Sequence, residues 1–461
     1  MDTLPRCFAI TLVAALAACQ SPSHATPADG EALQGMQGRA PLPPEGGDFG
    51  QVTQAATWSP QDGLTSLLLR AQSENPRVRH AFHSWKAAIE RVDQVTALPD
   101  PWVSLQGYVQ SIETRSGPID GRIGFDQRFP WPGKLDAEGE VAAANAETAR
   151  WRVEELRLEV RRDFLKSWVE LAYLQEAQTI TAAQVVLLEH VEEVSLRLYE
   201  ASKATQAEVL RAQVERLQMQ ERGATLAQKA ASKVPRLEAL LGAPAAEDAL
   251  WAGVPIPEVP ALANSSELKQ RFATDAPALQ RLDHAMRTAE NRRKVAEFED
   301  RPDLSLGADW TWIGQGSAIG PQVGEDAFSV RFGFELPLQA SRVAAARREA
   351  MVRQKVVGLD REATVWELQS RLDIALSDLT DAERRLVLYR DQLLLKGEQA
   401  YEVTLSSYQS GQADFQDMLE AAQVVLDFRL SALRAKADAA LAYADLTGLM
   451  PVEALRNAKE R

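Results

Sequence analysis

SENPRVRHAFHSWKAAIERVDQVTALPDPWVSL (Ser73–Leu105) and TDAPALQRLDHAMRTAENRRKVAEFEDRPDLSL (Thr274–Leu306) align without a gap. Pro76 falls on Pro277, Ala88 on Ala289, Pro101 on Pro302, Ser104 on Ser305 and Leu105 on Leu306, each offset by 201 positions. Self-similarity at a fixed offset marks a duplicated structural unit and has to be found before elements are assigned. Further along, Phe129-Pro130 matches Leu336-Pro337, Tyr199 matches Tyr408, Leu210 matches Leu419, and Leu241-Gly242 resembles Leu446-Thr447-Gly448. The offset drifts while the order holds. The chain therefore reads as two repeats, 61–242 and 267–451, joined by a Pro-rich linker at 243–266 and followed by a tail at 452–461.

Each repeat follows one plan. A helix after Asn75-Pro76 or Ala276-Pro277 is broken at Asp100-Pro101 or Arg301-Pro302, two strand-like runs follow, and a very long helical region closes the unit. The strands are expected at about 102–113, 119–129, 303–313 and 327–336. Val103, Leu105 and Val109 alternate with Ser104, Gln106 and Gln110, and Phe328, Val330, Phe332 and Phe334 alternate with Ser329, Arg331, Gly333 and Glu335. Such a period of two gives a sheet one apolar and one polar face, and each run is about the length a tilted strand needs to cross a bilayer. Two soluble hairpins would carry the same alternation. Between Glu140 and Arg222 there is neither Gly nor Pro, and between Leu338 and Met450 no Pro. With Ala, Leu, Glu, Gln and Arg dominant, both regions favour helix. Narrow stripes such as Leu165, Trp168, Ala172 and Leu419, Ala422, Leu426 suit laterally packed, coiled-coil-like helices.

The 461 residues are 45% hydrophobic and 25% charged, an ordinary composition for a folded chain, and the net charge of −14 argues against nucleic acid as a partner. Arg6 precedes FAITLVAALAAC, too short for a permanent span but long enough for a signal-peptide core (1–18). Leu16-Ala17-Ala18-Cys19 resembles a bacterial lipobox, in which Cys19 becomes the lipidated first residue, palmitate among its acyl chains; an ordinary secretory signal with an incidental cysteine is the alternative. Gln20 fits outer-membrane sorting. Residues 19–60 read as a flexible leader. Cys7 is the only other cysteine, so the mature chain has no disulfide and no Cys-based metal site. After Cys19 no run of about 18 apolar residues occurs. If the chain crosses a membrane it does so as strands, and four strands cannot close a barrel without leaving backbone groups unpaired in lipid.

At this point the sequence resembles the TolC-like outer-membrane efflux proteins, over essentially all of Leu64 to Pro451 and both repeats. The resemblance implies a mostly α fold with a β-barrel portion: a homotrimer, four strands per protomer in a twelve-stranded barrel, and a long helical tunnel in the periplasm. FPWPGKL (Phe129–Leu135) then looks like the strand-to-helix junction at the periplasmic face of the membrane. Pro130 and Pro132 end the ladder, Gly133 relaxes the turn and Trp131 suits an interfacial depth; the second copy, ELPLQAS, keeps only Pro337. At the family's periplasmic tip a Tyr-x-x-Gly turn precedes acidic residues ringing the aperture, a pattern that Tyr408, Gly411, Asp417 and Glu420 match. Asp417 and Glu420 share a helix face, and three copies would make rings of like charge favouring cations. Ala413 stands where a basic tethering residue can stand. The first repeat has Ser202 for the glycine and offers Glu208 and Arg211.

The five histidines show no metal-ligand spacing beyond the lone His80-x-x-His83 pair, and no nucleophile elbow, phosphate loop or paired-carboxylate constellation stands out, so no enzyme, metal or cofactor is expected. The resemblance implies the exit duct of a tripartite efflux system. Its partners would be a periplasmic adaptor (membrane fusion protein), an inner-membrane transporter of the RND type, and outer-membrane lipid. PWPGKL with ETRSGP (Glu113–Pro118) resembles the heavy-metal branch. The alternatives are the same channel in multidrug efflux or type I secretion and, in a different class, a periplasmic coiled-coil adaptor or scaffold lipoprotein.

Overall fold

The computed structural model describes residues 58–59, 62–246, 253–315 and 323–456. The expected signal peptide (1–18), Cys19, nearly all of the expected leader and the last five residues lie outside the described residues. The first half comprises α1 (Leu64–Glu74), α2 (Pro76–Thr96), β1 (Trp102–Thr114), β2 (Gly117–Phe129), α3 (Lys134–Glu200), α4 (Gln206–Ala231) and α5 (Val234–Leu241). The second comprises α6 (Ser265–Asp275), α7 (Pro277–Glu297), β3 (Asp303–Ile313), β4 (Ala327–Glu335), α8 (Ala340–Val387), a π-helical turn (Leu388–Leu393), α9 (Leu394–Gln409), α10 (Phe415–Thr447) and the short α11 (Val452–Leu455). The halves share one element order, with strands within two residues of the expected bounds. The linker ends two residues early because Asn264 caps α6, its Oδ1 accepting the Glu267 N–H at 2.8 Å.

Local chemistry sets these boundaries. Pro76 and Pro277 each open a helix at the position where a missing N–H costs nothing. Asn75 adds a cap, accepting the Arg77 N–H at 2.9 Å, while its amide donates to the Leu240 carbonyl at 2.7 Å. Sixty-seven residues of α3, at 1.5 Å each, run for about 100 Å. No described helix is long and apolar enough to cross a membrane.

The four strands form one antiparallel sheet in the order β1-β2-β3-β4. The helices that run into them repeat that order: α3 packs between α2 and α7, and α7 between α3 and α8. Aromatic and aliphatic side chains fill the seams, with Phe164 stacked 6.1 Å from Trp168 in α3, both fully buried. A second cluster joins Leu268 and Phe272 of α6 to Leu372 and Leu379 of α8 and Leu446 of α10. Trp58 is buried beside the linker, its indole N–H donating to the Ala243 carbonyl at 3.1 Å.

Candidate functional site

The sheet has two chemically opposite faces. The register aligns Leu105 with Ile123, Ile123 with Trp310 and Trp310 with Phe328, and likewise Val103, Phe125, Ala308 and Val330. Leu306–Phe332 and Leu304–Phe334 extend the same face. Much of this face stands open among the described residues: Leu105 is 76% exposed, Phe332 74% and Phe334 67%, while Phe125, Leu304, Ala308 and Trp310 are half-buried. A soluble sheet buries such a face, so a broad uncovered one marks contact with lipid or protein.

The opposite face is charged and internally paired. Arg331 on β4 reaches Asp309 on β3 at 2.5 Å and, across β3, Asp126 on β2 at 3.4 Å. Arg128 on β2 binds Asp303 at 2.7 Å and Glu335 on β4 at 2.6 Å. These links cross strands over glycines. A Cβ on Gly124 would stand 2.6 Å from Ser104 Oγ and 2.7 Å from Asp309 Oδ1, and one on Gly307 would meet Asp126 Oδ2 at 2.7 Å. A side chain at either position would displace the oxygens that make these ionic links. Among the described residues the outer strands β1 and β4 each pair on one side only, so both edges of the sheet are open there.

At the junction, β2 ends at Phe129 and α3 begins at Lys134. Pro130 and Pro132 terminate the ladder. Gly133 adopts a left-handed backbone (φ 86°) with no crowding around its missing Cβ, so the conformation rather than space calls for glycine. The buried carboxylate of Asp303 holds the turn: Oδ1 accepts the Trp131 N–H at 3.1 Å, and Oδ2 accepts from Arg128 at 2.7 Å and faces Lys134 Nζ at 3.7 Å. The second junction, around Pro337, leaves Leu336 and Leu338 exposed.

Both predicted tips are turns of one design. Ser202 N donates to Tyr199 O, and Lys203 and Ala204 N to Leu198 O; Gly411 N donates to Tyr408 O, and Gln412 and Ala413 N to Ser407 O. Every pair is offset by 209 positions. Gly411 has φ 77°, and Ser202, with φ 59°, is the single non-glycine at positive φ among the described residues. Asp417 and Glu420 lie exposed on the first turns of α10, with no ion pair or side-chain hydrogen bond among the described residues.

Glu208 has a defined structural task. Its Oε1 accepts the Thr205 N–H at 3.1 Å, closing a capping box, and its Oε2 accepts from the Tyr408 hydroxyl at 3.3 Å. Arg211 donates to Gln416 at 3.3 Å. Tyr408 is buried with Ser195 Oγ 3.5 Å from its hydroxyl and its ring edge-on to Phe415. Burial foremost, reinforced by Glu208 and opposed by Ser195, pushes its phenol above the usual value, so it remains a donor. Tyr408, Glu208 and Arg211 thus tie the two helical hairpins together, whereas Asp417 and Glu420 stay apart from those ties.

No protein-family profile matches the chain, nor does any curated protein sequence. Solved structures do. OprN, an outer-membrane channel, superposes with a TM-score of 0.70 at 18% identity, covering 89% of this chain and 98% of that one. The open-state MtrE outer-membrane channel of Neisseria gonorrhoeae gives 0.68 at 18% identity over 89% and 96%. The chain has the fold of a TolC-like outer-membrane channel. CusC, described in terms of transmembrane channel formation, also shares this channel fold, at 0.70 and 15% identity over 88% and 97%. Within it, sequence reasoning missed Asp303, the polar-face glycines and the π turn. No local pattern announced Asp303, whose partners lie far away in sequence, and the π turn had only a one-residue slip in heptad phase to announce it.

Proposed function

We propose that this chain is the outer-membrane exit duct of a tripartite efflux system, working as a homotrimer in the Gram-negative outer membrane with its helices in the periplasm. The observation that carries this reading is the two-faced sheet with two open edges. Its apolar face suits lipid and its ion-paired face suits water, as in membrane barrels. Open edges cannot persist in a bilayer, and pairing β4 of one copy with β1 of the next closes twelve strands from three copies. A periplasmic adaptor or scaffold has no use for such a sheet.

In this reading Cys19 carries the lipid anchor, Trp131 and the exposed Leu336 and Leu338 meet the membrane interface, and Asp417 and Glu420 ring the periplasmic aperture. A periplasmic adaptor and an RND-type inner-membrane pump complete the system, with heavy-metal cations as cargo; organic compounds or secreted proteins are the competing cargoes. Two measurements test this. Purified protein should run as a trimer and conduct ions in a planar bilayer, and a monomer without conductance would refute the duct. A deletion strain should become sensitive to copper, silver, zinc, cobalt or cadmium. Sensitivity confined to dyes and antibiotics would reject the metal cargo alone.

A further inference from the structure

A fixed offset relates the helices of the two repeats. In the first, Thr96 of α2 lies against Gly139 of α3; in the second, the Glu297 carbonyl on α7 accepts from Arg347 on α8. The groove beside α2 and α3 is lined by Ala88, Arg91, Ala142 and Asn145. The groove beside α7 and α8 is lined by Ala289, Arg292, Ala350 and Arg353. Every pair differs by 201 positions in the first helix and by 208 in the second. At the tip turns the second offset is 209, and the π turn Leu388–Leu393 takes up the additional residue.

One seam between repeats lies within the chain, where β2 pairs with β3 and α3 packs on α7. Its ties are Lys294 Nζ to Glu140 Oε2 at 3.1 Å, the Asn291 amide to the Glu140 carbonyl at 3.2 Å, and Arg281 to Glu155 at 2.7 Å. The two open edges are the halves of a second seam, β4 with α8 on one side and β1 with α2 on the other. The offsets carry each tie onto it. Glu140 becomes Arg348 on α8, Lys294 becomes Asp93 on α2, and Asn291 becomes Glu90. The signs are reversed and the complementarity is kept. All three side chains are exposed, and none has an ion pair or side-chain hydrogen bond among the described residues.

Glu155 and Arg281 give way to Ala363 and His80, and here α8 turns to apolar contact. Val352, Val356, Leu359 and Trp366 share one helix face and are between 50% and 67% exposed. On α2 the small, exposed Ser84 and Ala87 follow His80 on its free side. They are the counterparts of Ala285 and Thr288, which share a groove with Thr148, the counterpart of Val356.

We infer that α8 docks on α2 of a second copy of this chain, Val356, Leu359 and Trp366 covering the small face and Arg348 meeting the partner's Glu90 and the partner's Asp93, and that the reversed signs keep unlike repeats together. Of the two wrong pairings, α3 against α2 of another copy sets Glu140 beside two carboxylates, and α8 against α7 sets Arg348 beside Lys294. Like-charge contacts of this kind suppress mismatched partners. The repeats then alternate around a closed head-to-tail ring. This rests on the proposed ring closure through β4 and β1 and names the helix contacts that accompany it.

Charge reversal tests it in full-length protein in detergent, with oligomer mass followed by light scattering over a dilution series. Glu90→Asn with Asp93→Lys gives α2 the charges of α7 and sets them against Arg348. With three exposed pairs per ring, the midpoint concentration for trimer dissociation should rise about tenfold or more, at unchanged helix content by circular dichroism. Adding Arg348→Glu recreates the Glu–Lys tie of the inner seam and should bring the midpoint back to within about threefold of wild type. That restored variant has two seams of the same sign, so on refolding from urea it should give at least twice the wild-type fraction of non-trimeric oligomers. Failure of Arg348→Glu to restore the trimer overturns the docking, and a restored trimer that refolds as cleanly as wild type overturns the role of the reversed signs. A wild-type chain that stays monomeric refutes the ring and this seam together. A wild-type trimer indifferent to every substitution refutes the seam and leaves the duct reading in place.

Discussion

Asp303→Asn tests whether one buried carboxylate anchors the strand-to-helix junction. The substitution keeps shape and an acceptor for the Trp131 N–H, but it turns the Oδ2 position, 2.7 Å from Arg128 Nη2 and 3.7 Å from Lys134 Nζ, into a donor or a neutral oxygen. A charge-assisted hydrogen bond is worth about 1.5–3 kcal/mol. Two features lower the expectation: the Arg128 side chain is half exposed, so its pairing is screened, and it retains Glu335 at 2.6 Å. Asp303, by contrast, is only 6% exposed. We expect a loss of about 2 kcal/mol, roughly a thirtyfold shift in the folding equilibrium. In urea titration of protein folded into lipid vesicles, a slope of about 2 kcal/mol per molar places the midpoint about 1 M lower. Glu335→Gln, which removes the exposed partner, should move it by less than about half as much. Equal shifts for the two variants, or no shift for Asp303→Asn, would refute the claim that the buried carboxylate organises the turn.

Ser202→Gly should stabilise the first tip by about 0.5–1 kcal/mol, because the left-handed backbone there strains any Cβ; a lower melting temperature would show that the serine side chain matters more than the strain. Asp417→Asn with Glu420→Gln should leave folding unchanged, since neither carboxylate is bonded among the described residues, while lowering cation preference in the reversal potential of a reconstituted channel by at least twofold. Unchanged selectivity would place both on a merely solvated surface. Glu192 joins α3 to α4 through Arg216 at 2.8 Å and Gln213 at 2.9 Å, and the Arg216 bond, opposed by burial and helped by Gln213, holds its carboxyl below the usual glutamate range. A depressed folded value means that this tie contributes above the unfolded pKa and is lost as pH falls through the folded one. Amide protection in Glu192–Arg216, taken relative to the intrinsic exchange rate at each pH, should therefore hold steady near neutrality and fall only below the usual glutamate range; a loss of protection already at pH 6 would contradict it.

The strands and long helices were legible because period-two and helical patterning are local, and because each repeat corroborates the other. The turn at Tyr408–Gly411 was legible for the same reason, glycine being the residue that a left-handed turn selects. Ser202 in the same conformation was not, since nothing local marks a serine for positive φ. Glu208 is what the first repeat offers beside its turn, where the second repeat carries its acidic pair. Its capping bond to Thr205 was written in the sequence as Thr-x-x-Glu, but its bond to Tyr408 joins residues 200 positions apart. Asp303 escaped for the same reason: its partners Arg128, Trp131 and Glu335 come from both halves, and no periodicity encodes a meeting across the sheet. The phase slip at Leu388–Leu393 is visible in the sequence only once the buried face on either side is known.

The matching element order of the two halves has an evolutionary corollary. Each half is a complete helix–strand–strand–helix unit, with its own tip turn closed by the same pattern of backbone bonds. An ancestor carrying one such unit would enclose the twelve strands of the proposed trimer as a ring of six identical subunits. What fusing two units into one chain adds is inequality: glycine against serine at the tip, and an inserted residue on one side only. Six equal subunits have no means of giving neighbouring hairpins different turn residues and a different helix phase, whereas two units within one chain are free to diverge in both.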